Sequence, residues 1–262
     1  MTSREFDHRV LIRRCERYDR AALQRLVTEG MQTLGFTPRG KTFVKPNVVF
    51  AGDPAVFGSH AYTNPELTSA ALLALAEGAE VERVDLGENS AVGFPTRHCY
   101  EQAGYYDAIR GVQQRAARPV DIFCMDEDRY DVVPVGGKVH HTLRLARTMA
   151  RADTKVYLPK LKCHCVTRMT GAVKLNVGIC NDADRSFRHD YSLNDKIVDL
   201  LTPGWPDFIV MDAICVGVGD DVGVAVASTS SSWGWCSWGP TRWPWIWWAR
   251  GCWGWRPRTF PI

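Results

Sequence analysis

Cationic and titratable side chains are concentrated between residues 158 and 178, in the stretch LPKLKCHCVTRMTGAVKLNVG. Lys160, Lys162 and His164 alternate there, so a strand continuing through them would place all three on one face. Crowding of like charges lowers the pKa of lysine and histidine and attracts an anion. Lys174 adds a fourth such group soon afterwards. The pattern predicts an anion site, and a basic, solvated strand edge is the competing interpretation.

Two further polar clusters lie where strands or helices are expected to end or begin. Pro46 cannot donate to a sheet ladder, so Lys45 and Asn47 would project from a strand that ends or bulges between them. Lysine supplies charge for a carboxylate or phosphate, and asparagine supplies a donor and an acceptor. Asn64 precedes Pro65 at a helix start, where free N–H groups favour an anion. An edge strand and an ordinary N-cap are the alternatives at these two places.

Acidic side chains suggest a second kind of ligand. Glu88 follows a predicted strand and could act as a base or a metal ligand, or be a solvated loop carboxylate. Asp212 lies within the strand pattern DFIVMDAI, where a carboxylate is costly unless it is paired or ligated. Together with His164 and His189 these two residues form a plausible set for a divalent metal. No spacing rule fixes that set, so the cofactor stays undetermined.

Known catalytic signatures are missing from the chain. The iron–sulfur spacing of four cysteines, the Walker motif, G-x-G-x-x-G, G-x-S-x-G and H-E-x-x-H do not occur. If the protein is catalytic, the candidate acid/base groups are therefore Lys162, His164 and His189.

The elements that must position these residues alternate between two patterns. Short β-branched runs predict strands at 9–15, 42–50, 81–87, 120–125, 155–161 and 207–214. Helical patterns fall between them, at 19–34, 64–77, 96–103 and 192–201. The alternation predicts one α/β domain with a largely parallel sheet and helices on both faces, Rossmann-like but without the dinucleotide fingerprint. Ligands of such sheets bind outside the carboxyl ends of the strands.

Composition narrows the class of protein. The 262 residues are 45% hydrophobic and 23% charged, which excludes a disordered chain. No run of about 18 apolar residues predicts a membrane span, and the first residues do not resemble a signal peptide, so we expect a cytoplasmic protein. The segment after Val226 contains four arginines and no acidic residue, so it accounts for the positive net charge. The chain before it is therefore close to neutral. The charge therefore gives no reason to expect nucleic acid or membrane as a partner.

The C-terminal segment has an unusual composition. Nine of the ten tryptophans lie between Trp233 and Trp255. Tryptophan has a single codon, so a one-base shift converts Trp-Gly to Gly, Trp-Cys to Val and Trp-Pro to Ala. The shifted frame permits G-V-V-L-V-G-T-D-P-V-A-L-D, which reads as a strand, a turn and a helix start. A membrane-interface or aromatic-binding segment is the alternative.

We interpret the chain as an α/β domain over 1–223 followed by a frameshifted, truncated tail over 224–262. The tail lacks the apolar spacing of an ordered element. We expect it to be irregular and to leave a sheet edge or core face uncovered near Asp212.

The order of the polar clusters resembles one family, the bacterial and archaeal proteins called domain of unknown function 362. The matching segments are Lys45-Pro46-Asn47, Thr63-Asn64-Pro65, Gly87-Glu88, Pro159-Lys160-Leu161-Lys162-Cys163-His164, Thr170-Gly171-Ala172-Val173-Lys174, His189 and Asp212-Ala213. The shifted frame supplies the family's expected ending. Two departures are the asparagine displaced to Asn176 and the altered C-terminus, which in the family includes an acidic segment. The resemblance implies fold and site more than reaction.

The leading hypothesis is a protein that binds a small anionic ligand, with a divalent metal as an additional candidate. Lys45, Asn47, Asn64, Lys160 and Lys174 would contact that ligand, and Glu88 and Asp212 would hold the metal. Some relatives carry a ferredoxin-like iron–sulfur domain. The alternative is therefore a non-catalytic binding or redox-partner protein whose iron–sulfur chemistry resides in another chain. The sequence specifies neither substrate nor oligomeric state.

Overall fold

The computed structural model describes residues 9–164, 167–187 and 192–217, and the backbone of residues 231–239. The strands are β1 Leu11–Arg14, β2 Gly40–Pro46, β3 Val81–Glu88, β4 Val120–Cys124, β5 Tyr130–Pro134, β6 Thr142–Ala146, β7 Thr154–Leu158, β8 Lys160–His164, β9 Arg168–Thr170, β10 Phe208–Gly217 and β11 Ser231–Gly239. The α-helices are α1 Arg20–Leu34, α2 Pro54–Phe57, α3 Pro65–Ala76, α4 Thr96–Gln102, α5 Tyr105–Gln113, α6 Arg147–Ala150, α7 Ala172–Leu175, α8 Asp182–Ser186 and α9 Leu193–Leu201.

One sheet contains most of the strands, in the order β1-β11-β10-β7-β2-β3-β4. The run from β10 to β4 is parallel throughout, and β11 is antiparallel to both β10 and β1. Strand β8 pairs in parallel with β10 and antiparallel with β9. Strands β5 and β6 form a separate antiparallel pair. The predicted class, α/β with a largely parallel sheet, is confirmed.

Both faces of the sheet are covered, because alternate residues of each strand enter different hydrophobic clusters. Val44 packs with helices α1, α3 and α5, whereas its neighbour Phe43 packs with α9 and the β5–β6 pair. On β7, Val156 and Tyr157 separate in the same way. A strand buried on both faces reads as a continuous apolar run, which is why the parallel strands were recognisable in the sequence.

Side-chain caps fix where two of the helices begin. Asp19 accepts the N–H of Ala22 at the start of α1, and Asn64 accepts the N–H of Glu66 at the start of α3. Both helix starts were predicted. In each case a side-chain oxygen accepts a hydrogen bond from a backbone N–H of the first turn, which would otherwise have no partner within the helix.

Some elements differ from the prediction. The single strand predicted over 155–161 is two strands, because Pro159 separates β7 from β8. Strand β8 does continue through His164, as alternation required. Helix α5 and the β5–β6 pair were not predicted. The pattern in β5 is weak, since Asp131 is half-buried while Val132 is exposed, whereas β6 does alternate between exposed and buried residues.

The expectation of an irregular tail is wrong over residues 231–239. That backbone forms β11, which pairs with β10 at Asp212↔Cys236, so the sheet edge beside Asp212 is covered. Backbone N–H and C=O groups of an open strand pair with any extended chain, whatever its side-chain pattern, and tryptophan is a favourable strand residue. The remaining tail positions lie outside the described residues. Across the described part of the chain, the helices are too short or too polar to cross a bilayer.

Candidate functional site

A small cavity of about 30 Å³ opens at the carboxyl ends of β2 and β3 and beside β8; we call it the lysine cavity. Six of the predicted site residues line it: Lys45, Asn47, Glu88, Lys162, His164 and Lys174. The remaining lining residues are Val49, Asn89, Thr170, Leu175, Val177, Gly178 and Arg185. The location follows the rule for open α/β sheets, in which polar residues at strand exits converge.

Lys45 and Glu88 form a buried ion pair at the base of the cavity. The Glu88 carboxylate also accepts the N–H of Val48 at 2.7 Å and that of Asn89 at 2.9 Å. Burial lowers the pKa of Lys45, and the charge of Glu88 opposes that change. A Cβ at Gly178 would lie 3.0 Å from both Glu88 Oε1 and Lys45 Nζ. The absence of a side chain at Gly178 therefore leaves room for the ion pair. The pair is fixed in place and its two charges compensate each other.

The Lys162 amine has a strongly lowered pKa. Its side chain is fully buried on β8, and burial lowers its pKa to about 7, with the charges of Lys174 and Lys160 acting in the same direction. Lys174 is half-buried at the start of the segment that closes the cavity. A buried cation repelled by two others is unfavourable unless negative charge reaches it.

His164 and Thr170 supply polar atoms near this amine. His164 is buried, and its Nδ1 accepts the N–H of Thr167 at 3.2 Å, which places the proton of the neutral ring on Nε2. Thr170 lies opposite Lys162 in the β8–β9 pair. Its buried hydroxyl has no hydrogen-bond partner among the described residues. A buried hydroxyl is costly to leave unsatisfied, so this atom marks a place for a ligand or a water molecule.

Arg185 completes the lining, and the sequence reasoning missed it. Its guanidinium donates to the carbonyls of Asn89, at 2.9 Å, and Ser90. The buried Lys196 donates to the carbonyls of Arg185 and Phe187, the latter at 2.9 Å, and so holds this segment against α9. The surrounding letters NDADRSF look like a solvated loop, and no local signal reveals that Arg185 is buried.

Lys160, Asn64 and Asp212 form a separate cluster, which corrects the prediction for Lys160 and Asn64 as ligand contacts. Lys160 Nζ lies 2.9 Å from Asp212 Oδ2, and both side chains are buried. Asp212 also accepts the Tyr18 hydroxyl at 2.8 Å and the backbone N–H of Asn64 at 2.9 Å. The Asn64 side chain is occupied as the cap of α3. The cost of burying Asp212 is therefore met by pairing, and its role here is structural.

The predicted metal set is not assembled. Glu88 and Asp212 lie in the two different clusters, and each carboxylate is neutralised by a buried lysine. No group of three His, Cys, Asp or Glu side chains capable of holding a metal occurs within the described ranges. His189, the remaining member of the set and a candidate acid/base group, lies outside the described residues. Asn176, the displaced asparagine, accepts the Tyr157 hydroxyl at 2.8 Å and does not line the cavity.

Solved structures resemble this chain only distantly. The lactate racemase apoprotein from Thermoanaerobacterium thermosaccharolyticum aligns with 10% identity and a TM-score of 0.44, covering 85% of this chain and 54% of that one. A Thermotoga maritima protein aligns with 9% identity and a TM-score of 0.42, covering 79% and 52%. The chain thus spans about half the length of either structure. No curated protein matches it.

A family model does match, and it covers most of the chain. The match extends over residues 42–229, from β2 past the end of β10, and so includes every lining residue of the lysine cavity. The model describes a domain of unknown function, DUF362. The chain therefore belongs to the DUF362 family.

Proposed function

We propose that the lysine cavity binds a small anionic ligand. The observation that carries the proposal is the charge of its lining, which combines four cationic side chains with one carboxylate: Lys45, Lys162, Lys174, Arg185 and Glu88. Glu88 pairs with Lys45, and its charge also opposes the fall of the Lys162 pKa, but the lining still contains four cationic side chains to one carboxylate. An anionic group in the cavity would reduce this excess of positive charge.

Two further features support the same proposal. The Thr170 hydroxyl could donate to an anion, and no described residue occupies it. The small volume suits a compact anionic group, such as a carboxylate or a sulfate-like oxyanion, rather than a large ligand. A divalent cation fits less well, because it would be repelled by the lysines before it met a carboxylate.

Binding of sulfate to the purified protein, measured by isothermal titration calorimetry, tests this proposal. We expect Lys174→Met to weaken sulfate binding by about tenfold, the size of one lost charge-assisted contact. The matched control is Lys138→Met, which removes the same charge from an exposed lysine paired with Asp195 outside the cavity. Equal affinities for the two variants, or no sulfate binding to the unmodified protein, would contradict the proposal.

We also propose that residues from about 224 onward are translated in a shifted frame. The tryptophan codons support this interpretation, and the family match ends at residue 229, close to the proposed shift. The pairing of β11 reflects backbone hydrogen bonding and is compatible with either frame.

A further inference from the structure

Lys162 combines three features that make an amine nucleophilic. It is fully buried, it lies beside Lys174 and Lys160, and it lines a cavity rather than a closed core. With a pKa of about 7, close to half of the Lys162 side chains are unprotonated at neutral pH, whereas an exposed lysine is almost entirely ammonium. Desolvation next to another cationic group is a general way to activate lysine for covalent chemistry.

We propose that Lys162 forms an imine with a small aldehyde or ketone that carries an anionic group. This inference rests on the proposed anion site, since the same cavity must hold the anionic end of the substrate. Besides Lys45, which is paired with Glu88, the lining offers two amines with different surroundings, the buried Lys162 and the half-exposed Lys174. Lys174 holds the carboxylate or phosphate, and Lys162 reacts with the carbonyl carbon.

The step balances with groups that the cavity contains. The unprotonated Lys162 amine attacks the carbonyl carbon, forming a C–N bond, and one of the two nitrogen protons passes through the Thr170 hydroxyl to the carbonyl oxygen, which gives the neutral carbinolamine. The nitrogen lone pair then expels the oxygen as the C–O bond breaks, and the second nitrogen proton reaches that oxygen by the same route, so that it leaves as water. The His164 Nε2–H donates a hydrogen bond to the oxygen throughout and does not give up its proton. The products are one imine and one water molecule, with no change of oxidation state. Thr170, opposite Lys162 in the β8–β9 pair, is placed to donate to the oxygen during both stages.

Borohydride trapping tests the inference directly. Glyoxylate, an aldehyde that carries a carboxylate, is incubated with the unmodified protein at pH 7.5, and sodium cyanoborohydride reduces any imine to a stable secondary amine. Peptide mass spectrometry then locates the modified lysines. We expect Lys162 to be labelled at least tenfold more than Lys155, a matched control whose pKa is also lowered by burial but which lies outside the cavity.

Two comparisons separate this inference from the proposed anion site. Glycolaldehyde lacks the carboxylate and should label Lys162 at least tenfold less than glyoxylate does. Lys162→Arg keeps the positive charge but cannot form an imine, so the labelled peptide should disappear. Because both lysines are compared within one sample of unmodified protein, the main result does not depend on the variant folding.

Equal labelling of Lys162 and Lys155 would overturn the imine while leaving sulfate binding intact. Loss of sulfate binding in the unmodified protein would instead overturn the anion site itself. If glycolaldehyde labelled Lys162 as strongly as glyoxylate does, the requirement for an anionic group on the substrate would be disproved.

Discussion

Buried lysines in this protein have two kinds of surroundings. Lys45 and Lys160 each contact a carboxylate, and Lys196 donates to two backbone carbonyls, so these three are held by fixed negative charge or dipoles. The pKa of Lys162 is lowered by burial first and then by the charges of Lys174 and Lys160, and the charge of Glu88 opposes the change. Burial lowers the pKa of Lys45, Lys196 and Lys162, and for Lys162 the charges of two neighbouring lysines add to that effect.

Removing the charge of Lys162 should therefore stabilise the protein while abolishing anion binding. We expect Lys162→Met to raise the free energy of unfolding by about 1–4 kcal/mol at pH 7 in the absence of ligand, the range seen when buried charges are replaced by apolar side chains. The gain should shrink between pH 7 and 10. Over that range the unfolded chain keeps its lysine proton while the folded chain has lost it, so the stability of the unmodified protein rises with pH.

Urea unfolding at several pH values measures this effect, with Lys196→Met as the control. Lys196 is equally buried but satisfies the carbonyls of Arg185 and Phe187, so its replacement should cost about 1–3 kcal/mol. Destabilisation of the same size in both variants would show that Lys162 is a structural lysine.

Anion affinity should fall as pH rises through 7, because Lys162 loses its proton there. Sulfate keeps its charge over this range, so its dissociation constant should be about tenfold higher at pH 8 than at pH 6, the change expected from one coupled proton. Calorimetry in matched buffers gives the two constants. Lys162→Arg should flatten the profile.

At the scale of elements, the site depends on where strands stop. Strands β2 and β3 end at Lys45-Pro46 and Glu88, and β8 begins again after the interruption at Pro159. The β8–β9 pair then turns back over the cavity and carries Thr170 opposite Lys162. Pro46 ends β2 and Pro159 separates β7 from β8, because proline cannot donate to the ladder, whereas β3 ends at Glu88 without a proline.

Helix α3 begins next to the site without contributing to it. Asn64→Ala removes the side-chain acceptor of the Glu66 N–H, and we expect it to lower the free energy of unfolding by about 1 kcal/mol. Asp212 should keep its contact with residue 64, since that contact uses the backbone N–H. Thermal unfolding and sulfate calorimetry on the same variant separate the two roles. A large loss of sulfate affinity would restore Asn64 as a ligand residue.

At the scale of the whole molecule, β11 closes a sheet edge with a segment whose side chains follow no structural pattern. It lies between β10 and β1 and covers the strand that carries Asp212. The backbone N–H and C=O groups on this side of β10 are therefore paired. Under the frameshift proposal, the amino acids of the pairing strand β11 are set by the shifted reading frame.

Resequencing the coding region tests that proposal. We expect a single-base insertion or deletion near codon 224, whose correction restores an ending of the type G-T-D-P-V-A-x-D. The corrected protein should show a higher unfolding temperature, because an amphipathic helix would replace an unpatterned segment. A reading frame confirmed as written, in both gene and transcript, would refute the interpretation.

The sequence by itself determined the α/β class, the parallel strands and six of the thirteen residues that line the lysine cavity. These follow from short-range rules: apolar runs for strands buried on both faces, caps for helices, and polar residues at strand exits. Alternation along β8 predicted one face and one pocket for Lys160, Lys162 and His164. The strand does continue through His164, but Lys160 pairs with Asp212 and does not line the lysine cavity.

Only the tertiary structure decided which charges meet. Lys160 and Lys162 are two residues apart and equally buried, yet one pairs with Asp212 and the other faces Lys174. Those neighbours come from β10 and α7, and sequence spacing does not encode their approach. The same holds for Arg185 and for the separation of Glu88 from Asp212, which excluded the predicted metal set. Electrostatic partners depend on distances of a few ångströms between distant segments, and packing of the whole sheet sets those distances.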